Sequence, residues 1–223
     1  MAGRAPAGRV FPVKIIPSLI LVLFLSACET PLISDLVTSQ GQVLYQDDFS
    51  DPMSGFSQTT NSNGTLGYWD GTYHMLVVTP GYDLWAVSGH AYGNVRVEVD
   101  ATRLAGPLVN RFGLICHYQD MKNYYFFIIS SDGYYAIGKI KNGESTLLGQ
   151  TMMGFSSAIL QTGGANHLGF ECNGSSLKGL VNDQPVAVAS DPDLSGGDVG
   201  LIAGTFTEGG VEISFDNFVV VKP

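Results

Sequence analysis

Hydrophobic and polar residues alternate along much of the chain beyond residue 42. The segment VRVEVD, which begins at Val95, has a valine at every second position, and the segment VEISF, which begins at Val211, repeats this period. A period of two is typical of a β-strand with one buried and one solvated face. The run from Tyr124 to Ile129 is apolar on both faces, which predicts a central strand.

Turn-forming dipeptides separate these runs. Asn and Asp followed by Gly tolerate the positive φ that two-residue hairpins require. No segment has a sustained helical period, and at most one helical turn is expected within residues 155–160. The pattern therefore predicts an all-β fold, an antiparallel two-sheet jelly-roll sandwich. The dipeptides are Asn63-Gly64, Asp132-Gly133, Asn142-Gly143, Asn173-Gly174 and Asn182-Asp183.

Composition and length agree with this fold class. Hydrophobic residues make up 45% of the 223 residues, which is enough for a sizeable core, and 28 glycines against 14% charged residues indicate many turns. A sandwich of this length is ordinarily one unit. We therefore predict a single domain over residues 42–223.

The first 27 residues have a different character. Arg4, Arg9 and Lys14 are followed by an apolar run from Ile15 to Leu25 that only Pro17 and Ser18 interrupt. A membrane-spanning helix needs about 20 apolar residues, so this run is too short and is typical of a signal peptide. Residues 1–27 are predicted to direct export.

The four residues Leu25-Ser26-Ala27-Cys28 stand directly after the apolar run. They resemble the bacterial lipobox, in which the peptidase cleaves before a cysteine whose thiol accepts a diacylglycerol. The resemblance implies a lipidated Cys28, a tether over residues 28–41, and an extracytoplasmic protein anchored in the bacterial cell envelope. The alternative is an ordinary secretory signal followed by a chance cysteine.

The charge of the exported part excludes one class of partner. All three basic residues of the leader precede Cys28, so 8 basic and 20 acidic residues remain after cleavage, a net charge of −12. Phosphate binding depends on clustered Lys and Arg. We therefore expect no nucleic-acid partner, and contact with the membrane through the lipid anchor alone.

A series of short motifs in order along residues 43–222 resembles a known fold family. Together they are similar to the concanavalin A-like lectin/glucanase jelly roll, and most similar to the laminin G-like and 3-keto-disaccharide hydrolase-type domains of exported bacterial proteins. The resemblance implies a carbohydrate-related role. The motifs are Asp47-Asp48-Phe49, Gly113-Leu114-Ile115-Cys116, Asn123-Tyr124-Tyr125-Phe126-Phe127, Asn166-His167-Leu168, Val181-Asn182-Asp183 and Phe215-Asp216-Asn217-Phe218.

The segment Glu98-Val99-Asp100 tests whether this resemblance extends to catalysis. Laminarinase-type hydrolases of the fold carry Glu-x-Asp followed by a second Glu on one strand, because retaining hydrolysis needs two carboxyl groups about 5.5 Å apart. Thr102 and Arg103 stand where the second Glu would fall. We therefore predict a non-catalytic protein. The simplest interpretation of the segment is a solvated strand face on which the charges of Arg96 and Asp100 compensate each other.

Other catalytic and metal patterns are absent from the sequence. His74, His90, His117 and His167 are scattered without zinc-site spacing. There is no Gly-x-Ser-x-Gly elbow of the kind that hydrolases use. His117 follows Cys116 on a predicted strand and is a candidate ligand contact if it faces the concave sheet.

Three acids near the chain ends are candidate calcium ligands. In domains that this one resembles, a carboxylate of the last strand joins oxygens of the first strand around the ion, which implies a structural Ca²⁺ held by Asp47, Asp48 and Asp216. Calcium prefers six to eight oxygen ligands. The alternative is that Asp216 only hydrogen-bonds a turn.

Cys116 and Cys172 are the cysteines that remain after Cys28 is lipidated. Each lies on the apolar face of its predicted strand, so both thiols point to the core. An even pair in an exported protein favours a disulfide. Two separate buried thiols are the alternative, because sequence does not fix a Cα separation.

Tryptophans next to acids are the candidate sugar contacts. Trp69 precedes Asp70 and Trp85 lies two residues after Asp83, near predicted loop ends. Sugar rings present C–H faces that stack on aromatic rings, and carboxylates bond their hydroxyls. Glu98, Asp100 and His117 complete the predicted carbohydrate-binding set.

These interpretations together predict a surface-anchored, non-catalytic carbohydrate-binding lipoprotein whose partner is a glycan or a cell-wall polysaccharide. A glycoside hydrolase of the same fold is one alternative, and a cleft of acids would favour it. A cell-surface protein-interaction module is the other, and a flat sheet without a groove would favour it.

Overall fold

The computed structural model describes Met1, Gly3 and residues 41–223. The predicted signal peptide, Cys28 and most of the tether lie outside the described residues. Residues 41–223 contain sixteen β-strands and no helix. Within this part of the chain, no segment is therefore a helix long and apolar enough to cross a membrane.

The strands follow one another closely along the chain. In order they are β1 (Val43–Asp47), β2 (Thr59–Asn61), β3 (Gly64–Trp69), β4 (Thr72–Val77), β5 (Asp83–Tyr92), β6 (Val95–Ala105), β7 (Asn110–Asp120), β8 (Asn123–Ile129), β9 (Tyr134–Lys141), β10 (Glu144–Leu147), β11 (Gly154–Phe155), β12 (Asn166–Asn173), β13 (Ser176–Val181), β14 (Gln184–Ser190), β15 (Gly197–Thr205) and β16 (Val211–Val221).

These strands form two antiparallel sheets. The nine-stranded sheet has the order β14-β13-β12-β6-β16-β4-β3-β2, with β1 also paired to β16. The seven-stranded sheet has the order β10-β9-β8-β7-β15-β5, with β11 also paired to β9. The predicted all-β jelly-roll sandwich is confirmed.

The hydrophobic pattern accounts for most of these strands. Val95, Val97 and Val99 of β6 are fully buried between the sheets, while the charged residues between them face outward. All five predicted turn dipeptides lie at hairpin connections. The helical turn considered for residues 155–160 is not formed, because Phe155 pairs with β9 and residues 156–159 make a tight turn.

Strand β8 lies in the middle of the seven-stranded sheet, as its two apolar faces predicted. Tyr125, Phe127 and Ile129 enter the main core. The alternate residues point to the opposite side, where they belong to a second apolar cluster on the outer face of this sheet. The buried members of the second cluster are at most 6% exposed, and half-buried side chains of the same face pack against them.

Strand β16 changes partner halfway along its length. Its first half pairs with β4, and its second half, from Phe218, pairs with β1. A register shift against β6 lies between Asp216 and Val219, where Asn217 has a φ of +53°. Asn tolerates this left-handed conformation better than most residues. The irregularity lets the first and last strands of the domain lie side by side.

Candidate functional site

The outer face of the seven-stranded sheet carries a groove of about 400 Å³. Successive side chains of a strand point to opposite faces, so the residues that alternate with the core positions form its floor. The groove reaches from β5 to β10 and so crosses six strands, about 24 Å at the usual strand spacing. We call it the aromatic groove; its lining residues are Asp83, Arg111, Tyr124, Phe126, Ile128, Ile140, Ser145, Leu147, Met153, Ile202 and Phe206.

An ion pair lies at one end of the aromatic groove. Arg111 Nε donates to a carboxylate oxygen of Asp83, and the Arg111 guanidinium stands 4.7 Å above the centre of the Phe206 ring. Gly204 of β15 lies between the two residues in the register, opposite both of them. A side chain at Gly204 would overlap the Asp83 carboxylate, so glycine permits this pair to meet across the strand.

The environment of Asp83 opposes its ionisation. Burial raises the pKa of this carboxyl above its usual value, although the hydrogen bond and the charge of Arg111 act in the other direction. Arg111 and Asp83 are only partly exposed at the groove. The pair thus presents one fixed donor group and one fixed acceptor group in a partly dehydrated site.

Three aromatic rings lie together on the same face. The Tyr124 ring centre is 6.3 Å from that of Trp85 and 5.7 Å from that of Tyr118, and both pairs are tilted by little more than 30°. Burial, followed by the charge of Asp83, raises the pKa of Tyr124 to about 12. Its hydroxyl therefore stays protonated and remains a hydrogen-bond donor at neutral pH.

The sequence interpretation missed most of this groove. Trp85 was predicted as a ligand contact and lies on the groove face, and Asp83 was noted as the acid near it, but Arg111 was not singled out. The signal was available in the alternation of β8, because Tyr124, Phe126 and Ile128 share one face. The run from Tyr124 to Ile129 was predicted to be a central strand because it is apolar on both faces. One face packs in the main core, and the other is the floor of the aromatic groove.

Trp69 lies far from this groove in the fold. It is the last residue of β3, on the outer face of the nine-stranded sheet, and 68% of its surface is exposed. Trp85 belongs to β5 of the other sheet. The two predicted tryptophans therefore do not form one site.

Glu98 and Asp100 are on the outer face of the nine-stranded sheet, away from the aromatic groove. Glu98 Oε1 lies 2.8 Å from Arg96 Nε. Asp100 accepts from Asn217 Nδ2 at 2.9 Å and lies 2.8 Å from a ring nitrogen of His167. The prediction that Asp100 offsets the charge of Arg96 is therefore wrong. Arg96 pairs with Glu98, which lies two residues further along the same strand face.

His117 does not reach a ligand surface. Its ring is fully buried, with Nδ1 3.0 Å from the Leu194 carbonyl oxygen and Nε2 2.9 Å from the Gly93 carbonyl oxygen. The strand alternation would have turned it outward, but His117 has a φ of +50° at a register shift between β7 and β8. This irregularity points the imidazole inward.

The predicted calcium ligands are only partly brought together. Asp47 and Asp48 line a hollow of about 310 Å³ beside Asn217, between β1 and β16. Asp216 does not line it, and its carboxylate accepts from the Asn217 backbone N–H at 2.7 Å. Within residues 41–223 no three acidic, histidine or cysteine side chains converge as a metal site. The predicted set of three carboxylates therefore does not fit a calcium ion as a group.

Both hollow-lining acids are already engaged by their own loop. Asp47 accepts from the Phe49 backbone N–H at 2.8 Å and from Ser54 Oγ at 2.5 Å. Asp48 accepts from Ser50 Oγ at 2.6 Å and from its N–H, and these hydrogen bonds lower the pKa of Asp48 below its usual value. An ion in this hollow would need backbone oxygens and Asn217 as further ligands.

Cys116 and Cys172 are joined as a disulfide in the core. Cys116 belongs to β7 and Cys172 to β12, so the bond connects the two sheets. Their Cα atoms are 6.7 Å apart, within the range of disulfides.

No protein-family model matches the sequence, and no curated protein is similar to it. Solved structures share its fold. A carbohydrate-binding module, CBM66, from Bacillus subtilis is 20% identical, with a TM-score of 0.59 over 75% of this chain and 96% of that chain. A Bacillus subtilis protein of unknown function with a galectin-like fold is 11% identical, with a TM-score of 0.63 over 82% and 96%.

A third structure is an enzyme, a mixed linkage glucan PUL GH16 from Bacteroides ovatus in complex with a product. It is 8% identical, with a TM-score of 0.59 over 80% of this chain and all of that chain. These likenesses identify the fold as the concanavalin A-like jelly roll, as the sequence motifs predicted.

Proposed function

We propose that this protein binds a neutral glycan in the aromatic groove without cleaving it. One observation carries the proposal: Tyr124 lines the groove with the Asp83–Arg111 pair, and the half-buried rings of Trp85 and Tyr118 pack beside it on the same face. Aromatic faces stack on the C–H faces of sugar rings, and a paired acid and base bond the hydroxyls.

The charge of the groove favours a neutral ligand. Asp83 and Arg111 compensate each other, and no other lining residue is charged. The exported chain is strongly acidic, so long-range repulsion works against an anionic polymer. A groove that crosses six strands is long enough for several sugar units.

The lining residues of the aromatic groove also support binding without catalysis. A retaining or inverting hydrolase needs two carboxyl groups on either side of the scissile bond. Among the lining residues of the aromatic groove only Asp83 is an acid, and Arg111 already holds it. The solved neighbours include both a carbohydrate-binding module and hydrolases, so they support a carbohydrate-related role for either class.

The anchoring part of the proposal rests on the leader. Cys28 in the segment Leu25-Ser26-Ala27-Cys28 would carry the lipid, and residues 29–41 would be the tether. The domain would then sit outside the cytoplasm at the cell envelope, where polysaccharide is within reach.

Affinity electrophoresis of the exported domain tests the glycan proposal. Gels would contain mixed-linkage β-glucan, levan or xylan, and we expect at least one of them to retard the wild type. Arg111→Ala should weaken that binding about tenfold or more, since hydrogen bonds to charged groups are worth about 1.5–3 kcal/mol. Arg111→Lys keeps the charge but loses the planar fork, so it should not restore full affinity.

Arg103→Ala is the matched control. Arg103 is also an arginine near a strand end, but it belongs to β6 of the other sheet and donates to the Gly106 carbonyl oxygen. It should migrate like wild type in the polysaccharide gel. Equal retardation of Arg111→Ala and Arg103→Ala, with both proteins folded, would place the glycan outside the aromatic groove.

A second candidate function follows from the groove floor. Phe126, Ile128, Ile140 and Ile202 make it strongly apolar, which favours a hydrophobic segment of a partner protein as the occupant. If none of the polysaccharides retards the domain, this protein-interaction function becomes the better interpretation.

A further inference from the structure

A second hollow, of about 540 Å³, lies on the outer face of the nine-stranded sheet. Trp69 forms one wall, and the strands β2, β3 and β4 with the start of β16 form the rest. We call it the Trp69 hollow. Its other lining residues are Gln58, Thr59, Thr60, Thr65, Leu66, Gly67, Tyr68, His74, Leu76 and Glu212.

A gap in the side chains gives the hollow its depth. Gly67 stands between Thr65 and Trp69 on the outward face of β3, and it pairs with His74. The three atoms nearest to a Cβ atom at Gly67 would all belong to the Gln58 side chain, at 3.5–3.8 Å. The missing side chain therefore leaves room beside the indole, and Gln58 borders this space.

A chain of hydrogen bonds fixes the hairpin that carries the indole. His74 Nδ1 lies 3.1 Å from Glu212 Oε1, and His74 Nε2 lies 2.9 Å from Thr72 Oγ1. Thr72 Oγ1 in turn donates to the Trp69 carbonyl oxygen at 3.0 Å. A contact surface that is ordered before binding loses less entropy when a ligand arrives.

The lining chemistry selects the class of ligand. The side chains of Thr59, Thr60 and Thr65 are exposed at the hollow, which holds no Lys or Arg. Its one acid, Glu212, is paired with His74. Anionic ligands thus find no counter-charge, whereas a polyhydroxylated ring finds an exposed indole for its C–H face and hydroxyl and amide groups at its edge.

We infer that the Trp69 hollow is a second binding site for a neutral saccharide, which rests on the glycan function proposed above. The two sites lie on opposite faces of the sandwich, with both sheets between them. One straight polysaccharide chain does not occupy both faces at once. A domain with both sites therefore joins two chains.

The two tryptophans make the sites separately visible. The chain has two Trp residues. Trp69 lines the hollow, and Trp85 packs beside Tyr124, a lining residue of the aromatic groove, so the indole N–H region of a ¹H–¹⁵N spectrum contains one reporter signal for each site. Trp69→Phe and Trp85→Phe assign them. On titration with a mixed-linkage β-glucan tetrasaccharide, then levan and xylan oligosaccharides, we expect both signals to shift, with two equivalents bound by calorimetry.

Trp69→Ala should abolish one equivalent and leave the shift of Trp85 unchanged, with about a tenfold or larger loss of affinity at its own site. Because Trp69 is mostly exposed, the rest of the spectrum should stay superimposable. Wild-type domain should make a solution of the binding polysaccharide turbid by joining chains, and Trp69→Ala should not.

The outcomes separate the two proposals. A shift of the Trp85 signal alone, with one equivalent bound, overturns the second site and leaves the groove proposal intact. A shift of the Trp69 signal alone supports the hollow and overturns the groove. No shift of either signal with any of these saccharides overturns the glycan function and this inference with it.

Discussion

Asp191 holds the loop between β14 and β15 against the seven-stranded sheet. Lys139 Nζ donates to its carboxylate at 2.5 Å, Tyr125 Oη donates at 2.6 Å, and the Asp193 backbone N–H donates at 3.0 Å. Burial alone would raise the pKa of Asp191, but these hydrogen bonds outweigh it and hold the pKa below its usual value. The ionised form is therefore the one that stabilises the fold.

The sign of this shift fixes a pH dependence. A carboxyl whose pKa is depressed by folding contributes stability above its unfolded pKa, near 3.9, and loses it as pH falls further. We expect Asp191→Asn to lower the free energy of unfolding by about 2 kcal/mol at pH 7. Urea unfolding at several pH values should show a shallower acid decline in the variant than in wild type.

Asp193→Asn is the control for this prediction. Asp193 also accepts from Lys139 Nζ, at 2.6 Å, but it is exposed. Exposed ion pairs are worth little, so this variant should unfold close to wild type. Equal losses in the two variants would contradict a special role for the buried carboxylate.

Individual side chains were predictable only where strand alternation is unbroken. The core positions of Cys116 and Cys172 follow from their apolar neighbours, and both are fully buried. His117 is the next residue after Cys116, yet the irregularity at this point turns it inward as well. The sequence alone does not reveal this irregularity, because a histidine is compatible with the inner or the outer face of a strand.

Among the elements, β7 and β12 are tied together by the disulfide. The bond closes a loop across a sequence separation of 56 residues. Loop-closure entropy gives about 4 kcal/mol of stabilisation for such a loop, an upper figure. The double variant Cys116→Ala/Cys172→Ala should lose up to this amount in denaturant unfolding. Mass spectrometry of the protein without reductant should show the two residues linked; two freely alkylated thiols would contradict the disulfide.

The pairing of β1 with β16 allows a test of the predicted calcium ion, although the three predicted carboxylates do not converge on one site. An ion held in the hollow by Asp47, Asp48, Asn217 and backbone oxygens would hold the two end strands together, so EDTA would lower the melting temperature. Ligand at a hundredfold excess over Kd stabilises a fold by about 2.7 kcal/mol. Asp48 lines the hollow, so Asp48→Ala should melt alike with and without EDTA.

Two controls sharpen that measurement. Asp51 lies in the same loop, but its carboxylate accepts from the Met53 backbone N–H and does not line the hollow, so Asp51→Ala should keep any sensitivity to EDTA. Asp216 is outside the hollow, so Asp216→Asn should keep it too. A wild-type melting curve that EDTA leaves in place would mean that these acids only bond their own turns.

The positions of the hairpins could be predicted from the sequence for a physical reason. Hairpin turns need residues that accept positive φ, and Asn142 with φ of +54° and Asn182 with φ of +49° stand where such turns were predicted. Pairing between distant strands has no local signal. The contact of β6 with both β12 and β16, which sets the order of the sheet, therefore became visible only in the structure.

For the whole molecule, the leader gives a prediction that the described residues do not test. Cys28→Ala should remove the lipid acceptor, so the protein should leave the detergent phase in a Triton X-114 partition. Ser26→Ala keeps a small residue before the cysteine and should partition like wild type. A Cys28→Ala protein that still enters the detergent phase would require a different anchor.

The seam between β1 and β16 also decides how the domain responds to a pull. Tension on the amino-terminal segment enters the fold at Val43, and in the described chain β1 is paired with β16 alone. A pull along β1 loads these few hydrogen bonds together, including the one from the Lys222 N–H to the Gln42 carbonyl oxygen. Rupture would begin at the exposed start of β1, at Val43 and Leu44, because Asp47 at its end is buried and bonded to Phe49 and Ser54. The sheet that bears the aromatic groove would keep its pairing. The strand that would detach first under tension thus belongs to the sheet opposite the one that carries the proposed glycan-binding groove.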